Sequence, residues 1–147
     1  MKKYIAFFFL LALCTAFFSF SKKGGDVFAI YLNGKQVHQQ FVHIDKSIKT
    51  LSLHSLSDND KIEVFYSHCG HAGKNRVIIL RNEKNEVLKK LLFGDGKDNS
   101  ARMGFYRKDI PKTGAEKIQL FYSADELPEG RLLATIVWNE GKVVAKL

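Results

Sequence analysis

Lys61-Ile62-Glu63-Val64-Phe65-Tyr66-Ser67 returns later in the chain as Lys117-Ile118-Gln119-Leu120-Phe121-Tyr122-Ser123. Both copies alternate residue by residue and are rich in β-branched and aromatic side chains, which suits an extended strand with one buried face. A period of two puts Ile62, Val64 and Tyr66 on one side, and Ile118, Leu120 and Tyr122 on the equivalent side of the second copy. The opposite side carries Glu63 and Gln119, but also Phe65 and Phe121, an aromatic pair among polar neighbours that packs under a neighbouring loop or else forms a second contact surface. Eight residues separate Ser67 from Arg76 and its run VIIL; seven separate Ser123 from Arg131 and its run LLATIVW. Each unit then reaches an Asn-Glu pair, Asn82-Glu83 and Asn139-Glu140. The expectation is two equivalent hairpins, one in each half of the chain, as a sandwich of two sheets contains.

The remaining sequence repeats this style. Short apolar segments are separated by Gly, Asn, Asp and Lys, and strands are expected near 26–32, 35–42, 48–54, 61–68, 75–81, 86–93, 102–107, 117–123 and 131–138. Asn33-Gly34 marks a two-residue hairpin, because both residues accept a positive φ. Asp58-Asn59-Asp60 and the segment Gly94 to Asn99 read as turns. No apolar period of 3.6 persists for three turns, so helices should be short, although VLKKLLF (87–93) also fits two helical turns. The predicted fold is an all-β, antiparallel β-sandwich of roughly 8–9 strands, with a partly open β-barrel as the alternative. No linker or low-complexity tract interrupts residues 22–147, which read as one domain.

The first residues read differently. Met1-Lys2-Lys3 precedes an apolar run from Tyr4 to Leu13, and small residues follow at Cys14-Thr15-Ala16 and again at Ser19 and Ser21. A charged start, an apolar core and small residues at a cut site make a secretory signal, so residues 1–21 are expected to be removed after Ala16 or Ser21. Two alternatives keep a membrane link. The 17 residues from Tyr4 to Phe20 approach the ~20 of a membrane span, giving an uncleaved anchor. Leu11-Ala12-Leu13-Cys14 approximates a lipidation site, with Leu where a small residue is usual. The expected location is periplasmic or secreted.

Removing the signal leaves 126 or 131 residues with Cys69 as the one thiol, so the mature domain must hold together by packing rather than by an internal disulfide. It also leaves 21 basic residues against 15 acidic, a charge of +6. The lysines are dispersed, as on strand edges and turns, which argues against a dedicated nucleic-acid surface.

The densest polar cluster lies between Ser67 and Arg76. His68, Cys69 and His71 are borderline-to-soft ligands within four positions and suggest zinc or copper; with only three ligands, His38, His43 or His54 would have to supplement them. The same residues with Lys74 could activate Cys69 as a nucleophile. Ser67-His68-Cys69-Gly70 resembles the Ser-His-Gly-Cys signature of the L,D-transpeptidases, but Cys and Gly are transposed and the expected Arg does not follow. Gly70 to Lys74 lacks the spacing of a phosphate-binding loop. The second unit's loop offers Asp125, Glu126 and Glu129. If the two loops share a rim, imidazole and thiol would face carboxylates; on opposite rims each is an ordinary turn.

These observations lead to an exported β-sandwich acting as a non-enzymatic binding or envelope-associated interaction module. Phe65, Phe121, Lys74, Arg76, Asp125 and Glu126 are the candidate binding residues, without a cofactor. An envelope polymer or another exported protein is the expected partner. The alternative is a metal- or thiol-dependent protein using His68, Cys69 and His71, with zinc or copper; an enzyme acting on envelope polymers is a third.

Overall fold

The alternation in the repeated segment determines which side chains enter the core. Ile62, Val64, Tyr66, Ile118, Leu120 and Tyr122 are all buried, as a period of two requires. A computed structural model describes residues 25–53, 56–98, 101–111 and 117–137. The expected signal segment with Cys14, and also His54, Trp138 and the Asn139-Glu140 pair, lie outside the described residues.

Among the described residues there are nine strands: β1 (Val27–Leu32), β2 (Lys35–Phe41), β3 (Lys49–Ser52), β4 (Lys61–Ser67), β5 (Arg76–Arg81), β6 (Val87–Gly94), β7 (Met103–Tyr106), β8 (Lys117–Ala124) and β9 (Leu127–Val137). The ambiguous VLKKLLF segment is strand β6, and the described helical structure is a single 3-10 turn at Arg107–Asp109. Four strands form one sheet in the order β2-β1-β4-β7, and five form the other in the order β3-β9-β8-β5-β6. The sheets pack face to face as a sandwich and do not close into a barrel. Phe28, Ile30, Met103 and Phe105 of the first sheet join β4 against Leu51, Ile78, Leu80, Ala134 and Ile136 of the second. Asn33 and Gly34 take φ of 49° and 80°, the paired positive values that let a two-residue turn follow the strand twist.

Two expectations are corrected. The pairing is not wholly antiparallel, because β3 runs parallel to β9, with Leu51 opposite Ile136. That strand arrives by a crossing from β2 in the other sheet, so no hairpin turn dictates its direction. More consequentially, the repeated units are not equivalent. β8 and β9 do form a hairpin, closed by the two residues Asp125-Glu126 between the partners Ala124 and Leu127. β4 and β5 belong to different sheets, and the eight residues between them carry the chain across the sandwich. A two-residue turn forces adjacent pairing, whereas the longer connection leaves β4 free to pair with β1 and β7.

Leu120 is fully buried between the sheets, whereas Leu92 on edge strand β6 is 79% exposed. Leu120→Ala should therefore cost ~2–5 kcal/mol in chemical denaturation, and Leu92→Ala should stay within ~0.5 kcal/mol.

Candidate functional site

The last inward residue of each repeated segment is a tyrosine, and the two meet across the core. Tyr66 of β4 and Tyr122 of β8 stack with ring centroids 4.2 Å apart and an interplanar angle of 11°. Phe28 of β1 continues the stack behind Tyr66 at 6.3 Å. Stacked phenols bury large apolar area but carry hydroxyls that must find partners where the core ends.

Those partners come from three places in the chain. The Tyr66 hydroxyl donates to Asp26 Oδ2 at 2.8 Å. Arg131 Nη1 donates to the same carboxylate oxygen at 3.1 Å and also to the Tyr66 oxygen. The Tyr122 hydroxyl is hydrogen-bonded to His68 Nε2 at 2.9 Å, and His68 Nδ1 lies 3.7 Å from Asp26 Oδ2. Strand register brings these groups together. Val27 opposite Ser67 places Asp26 near His68, and Tyr122 opposite Arg131 brings the guanidinium beneath the stack. The result is a polar clasp joining both sheets at one end of the sandwich.

Burial pushes both phenols well above the ordinary tyrosine value; hydrogen bonding to Asp26 adds to it at Tyr66, and the Glu126 charge adds at Tyr122. Both hydroxyls therefore stay protonated at neutral pH. Gly73 backs the arrangement, because a Cβ there would collide with the Tyr122 hydroxyl and with Ala124.

His68 also opens a tight turn. Its N–H donates to His71 O at 2.8 Å and the His71 N–H returns to His68 O at 3.0 Å, leaving Cys69 and Gly70 at φ of 51° and 95°. This is a two-residue turn with a non-glycine residue in the left-handed region, stabilised by the Gly70 N–H donating to Ser67 Oγ at 3.0 Å. Cys69 is a free, exposed thiol, its Sγ 3.8 Å from Asp26 Oδ1. His71 is exposed.

The loops of the two repeated units share this rim. Lys74 N–H donates to Glu126 Oε2 at 3.0 Å, Asp125 N–H to Lys74 O at 3.0 Å, and Asn75 Nδ2 to Asp125 Oδ2 at 2.8 Å. The β6–β7 loop joins them through Asn75 N–H to Asp95 Oδ1 at 2.9 Å and Gly96 N–H to Gly73 O at 3.0 Å. At Glu126 partial burial pushes the carboxyl up, but the Lys74 and Glu126 N–H groups and the His68 and Lys74 charges outweigh it, leaving the carboxyl below its usual range.

The sequence candidates thus separate. His68, Cys69, His71, Lys74, Asp125 and Glu126 occupy one rim. Glu129 belongs to strand β9 instead of the turn. Arg76 is buried, and its guanidinium donates to Gly94 O at 3.1 Å, Ala101 O at 3.0 Å and Asp95 O at 3.5 Å, which makes it a brace for the rim rather than a contact residue. Phe65 and Phe121 point away from the core on opposite sheets, so they cannot form one surface together; Arg81 lies over the Phe121 ring at 4.3 Å. Asp26 and Arg131 were not among the sequence candidates, because each reads locally as a polar residue flanking a strand. Parity had already placed the two tyrosines inward, and their shared terminal position was the available signal.

Zinc or copper would have to draw on His68, Cys69 and His71, and the fit is incomplete. The His68 ring is directed to Asp26 and Tyr122, and among the described residues no group of three or more His, Cys, Asp or Glu is gathered as a metal site needs.

Because both phenols hold their protons more tightly in the fold than the ordinary value of 10.0, their contribution to stability is complete below that pH and is lost as pH rises above it. Each should steepen the alkaline loss by up to ~1.4 kcal/mol per pH unit. Denaturant midpoints followed from about pH 8 to about pH 11 should show this slope, and Tyr66→Phe/Tyr122→Phe should remove it. Comparison of the chain with protein-family models, curated proteins and solved structures returned no match.

Proposed function

We propose that this domain is an exported, non-enzymatic binding module that engages a polar envelope polymer or another exported protein through the clasped rim. The observation that carries this reading is the mutual fastening of three loops from both sheets. Lys74, Asn75, Asp95, Asp125 and Glu126 bond to one another across loop boundaries, so the platform is ordered before a ligand arrives. A preorganised surface loses little conformational freedom on binding. Exposed His71, Lys74, Asp125 and Glu126 offer mixed charge and hydrogen-bonding capacity, which suits a hydroxyl-rich or zwitterionic surface better than a uniformly anionic one.

The clasp favours binding over turnover. His68 directs its ring nitrogens to Asp26 and the Tyr122 hydroxyl, and that phenol is held protonated, a poor nucleophile. Cys69 has its described contact with a carboxylate, which does not activate a thiol.

Co-sedimentation of the mature protein with isolated envelope polysaccharide, and capture of exported proteins, test the reading. His71→Ala/Lys74→Glu should reduce retention at least about tenfold with an unchanged thermal midpoint, while Cys69→Ser should bind normally. Turnover abolished by Cys69→Ser, or stoichiometric zinc or copper lost in His71→Ala, would replace it with the thiol or metal reading. Export is tested separately by mass spectrometry of the mature chain, which should begin at Phe17 or Lys22. Cytoplasmic protein retaining Met1 would refute export, and a diacylated Cys14 would make it a lipoprotein.

A further inference from the structure

The two outer faces of the sandwich differ. Along a sandwich strand, inward residues ordinarily alternate with outward polar ones. On the first sheet the outward cations are matched. Arg102 lies over the Tyr31 ring at 3.7 Å and 3.8 Å from Glu63 Oε2, and Lys61 Nζ is 3.0 Å from Glu63 Oε1. On the second sheet β5 breaks the alternation, because Val77 and Ile79 face outward between the buried Arg76, Ile78 and Leu80. Register carries the apolar character sideways. Ile79 is opposite Phe121 of β8, Phe121 is opposite Leu132 of β9, and Val77 is opposite Leu92 of β6. The extra residue of β9 at this level, Leu133, is buried, which leaves Leu132 on the outer side. These five side chains run across four hydrogen-bonded strands, half-buried except for Leu92, which is 79% exposed.

The charges on this face have one sign. Its paired outward positions include Lys90, opposite Ile79, Arg81, opposite Gln119, and Lys117, opposite Val137, and none of them is acidic. Glu129 of β9 stands beyond the face, in the unpaired stretch next to the rim turn. Lys117 is matched by Glu83 at 3.7 Å. Arg81 lies over the Phe121 ring at 4.3 Å and donates from Nη1 to Asn85 Oδ1, a neutral acceptor. Among the described residues no carboxylate pairs with Arg81 or Lys90. The acidic residues in the turns at either end of β6 are engaged elsewhere, Glu83 by Lys117, Glu86 by Asn82 Nδ2 and Asp95 by the Asn75 N–H. The apolar row is thus bordered at β5 and β6 by two cations that lack a counter-charge.

Main-chain pairing and charge together select the occupant. β9, β8 and β5 are interior strands, so their main chain is already paired and no strand can be added over them. A partner must pack side chains on the face, and a helix satisfies its own main chain while offering an apolar stripe. A second copy has no helix beyond the 3-10 turn among its described residues, and through the same face it would bury cations against a surface without carboxylates. A planar bilayer fits poorly, because a twist of about 20–25° per strand turns β6 by roughly 60–75° from β9. Only Leu92 projects far enough to insert. We propose that the outer face of the five-stranded sheet docks an amphipathic helix of a different protein. Its apolar stripe lies over Val77, Ile79, Phe121 and Leu92, and its bordering carboxylates meet Lys90 and Arg81. The apolar contact supplies affinity, and the two cations select the acidic border. The residues are not those that test the rim, so either surface can fail without the other.

The test uses the mature chain and two synthetic helical peptides with leucines at i, i+3, i+4 and i+7, one bordered by glutamates and the other by lysines. The glutamate peptide should bind at least about tenfold more tightly in calorimetry and shift the NMR signals of Val77, Ile79, Phe121 and Leu132. Leu92→Ser should weaken that binding about tenfold with an unchanged thermal midpoint, since the side chain is exposed. Arg81→Glu/Lys90→Glu should transfer the preference to the lysine peptide, a readout that loss of stability cannot imitate. The proposal fails if the glutamate peptide does not bind, if it binds no better than the lysine peptide, or if the shifted signals lie on another surface. It also fails if phosphatidylglycerol vesicles sediment the protein and Arg81→Glu/Lys90→Glu releases it, which assigns the face to lipid. Dimerisation of the free chain through this face would overturn it as well, since a second copy would then be the occupant.

Discussion

A stack of two tyrosines joins the sheets at the end of the core, and it imposes a demand on everything near it. Tyr66 and Tyr122 supply dispersion and apolar burial through their rings, yet each delivers a hydroxyl to the boundary where packing gives way to solvent. An unpaired buried hydroxyl is costly, so the boundary must provide partners at fixed positions. Asp26 and Arg131 meet that demand for Tyr66, and His68 meets it for Tyr122. The absence of a side chain at Gly73 and the close approach of Glu126 follow from the same crowding. Because Asp26 and His68 belong to the first sheet's side and Arg131 to the second, the clasp couples the sheets electrostatically as well as by packing.

The same stack explains how a repeated sequence serves two topologies. Strand alternation controls only which side chains face inward, and on that count the copies behave alike. Ser123 is followed by Ala124 and a two-residue turn, which returns the chain beside itself. Ser67 is followed by a turn at Cys69-Gly70 and a further left-handed residue, Asn75 at φ 47°, before β5 begins in the opposite sheet. The two tyrosines can face each other because their strands lie in different sheets; two hairpins within one sheet would have set them side by side.

Two surfaces of different character adjoin at Asp26. Its side chain anchors the clasp, while its carbonyl accepts the Val42 N–H at 2.9 Å just beyond the end of β2. On one side lies a polar rim whose loops are already bonded to each other. On the other lies edge strand β2, whose outer side is unpaired among the described residues and which carries the exposed side chains of Val37 and Phe41.

Strand positions and inward faces are legible in the sequence, because alternation and β-branched content act locally. The nine described strands overlap the expected segments, although β9 begins at Leu127, inside the stretch read as a loop, and Asn33-Gly34 marks its hairpin through a positive-φ requirement that a reader of residues can recognise. The gathering of His68, Lys74, Asp125 and Glu126 on one rim was open to the sequence only as one of two placements. Asp26 and Arg131, 105 positions apart, meet through strand register and sheet order, and neither carries a local mark of that encounter. Arg76 resembles an exposed basic residue in the chain and becomes a buried brace once three carbonyls converge on it. Local periodicity specifies which way a side chain points; which strand lies beside it, and hence what it touches, is settled by long-range packing.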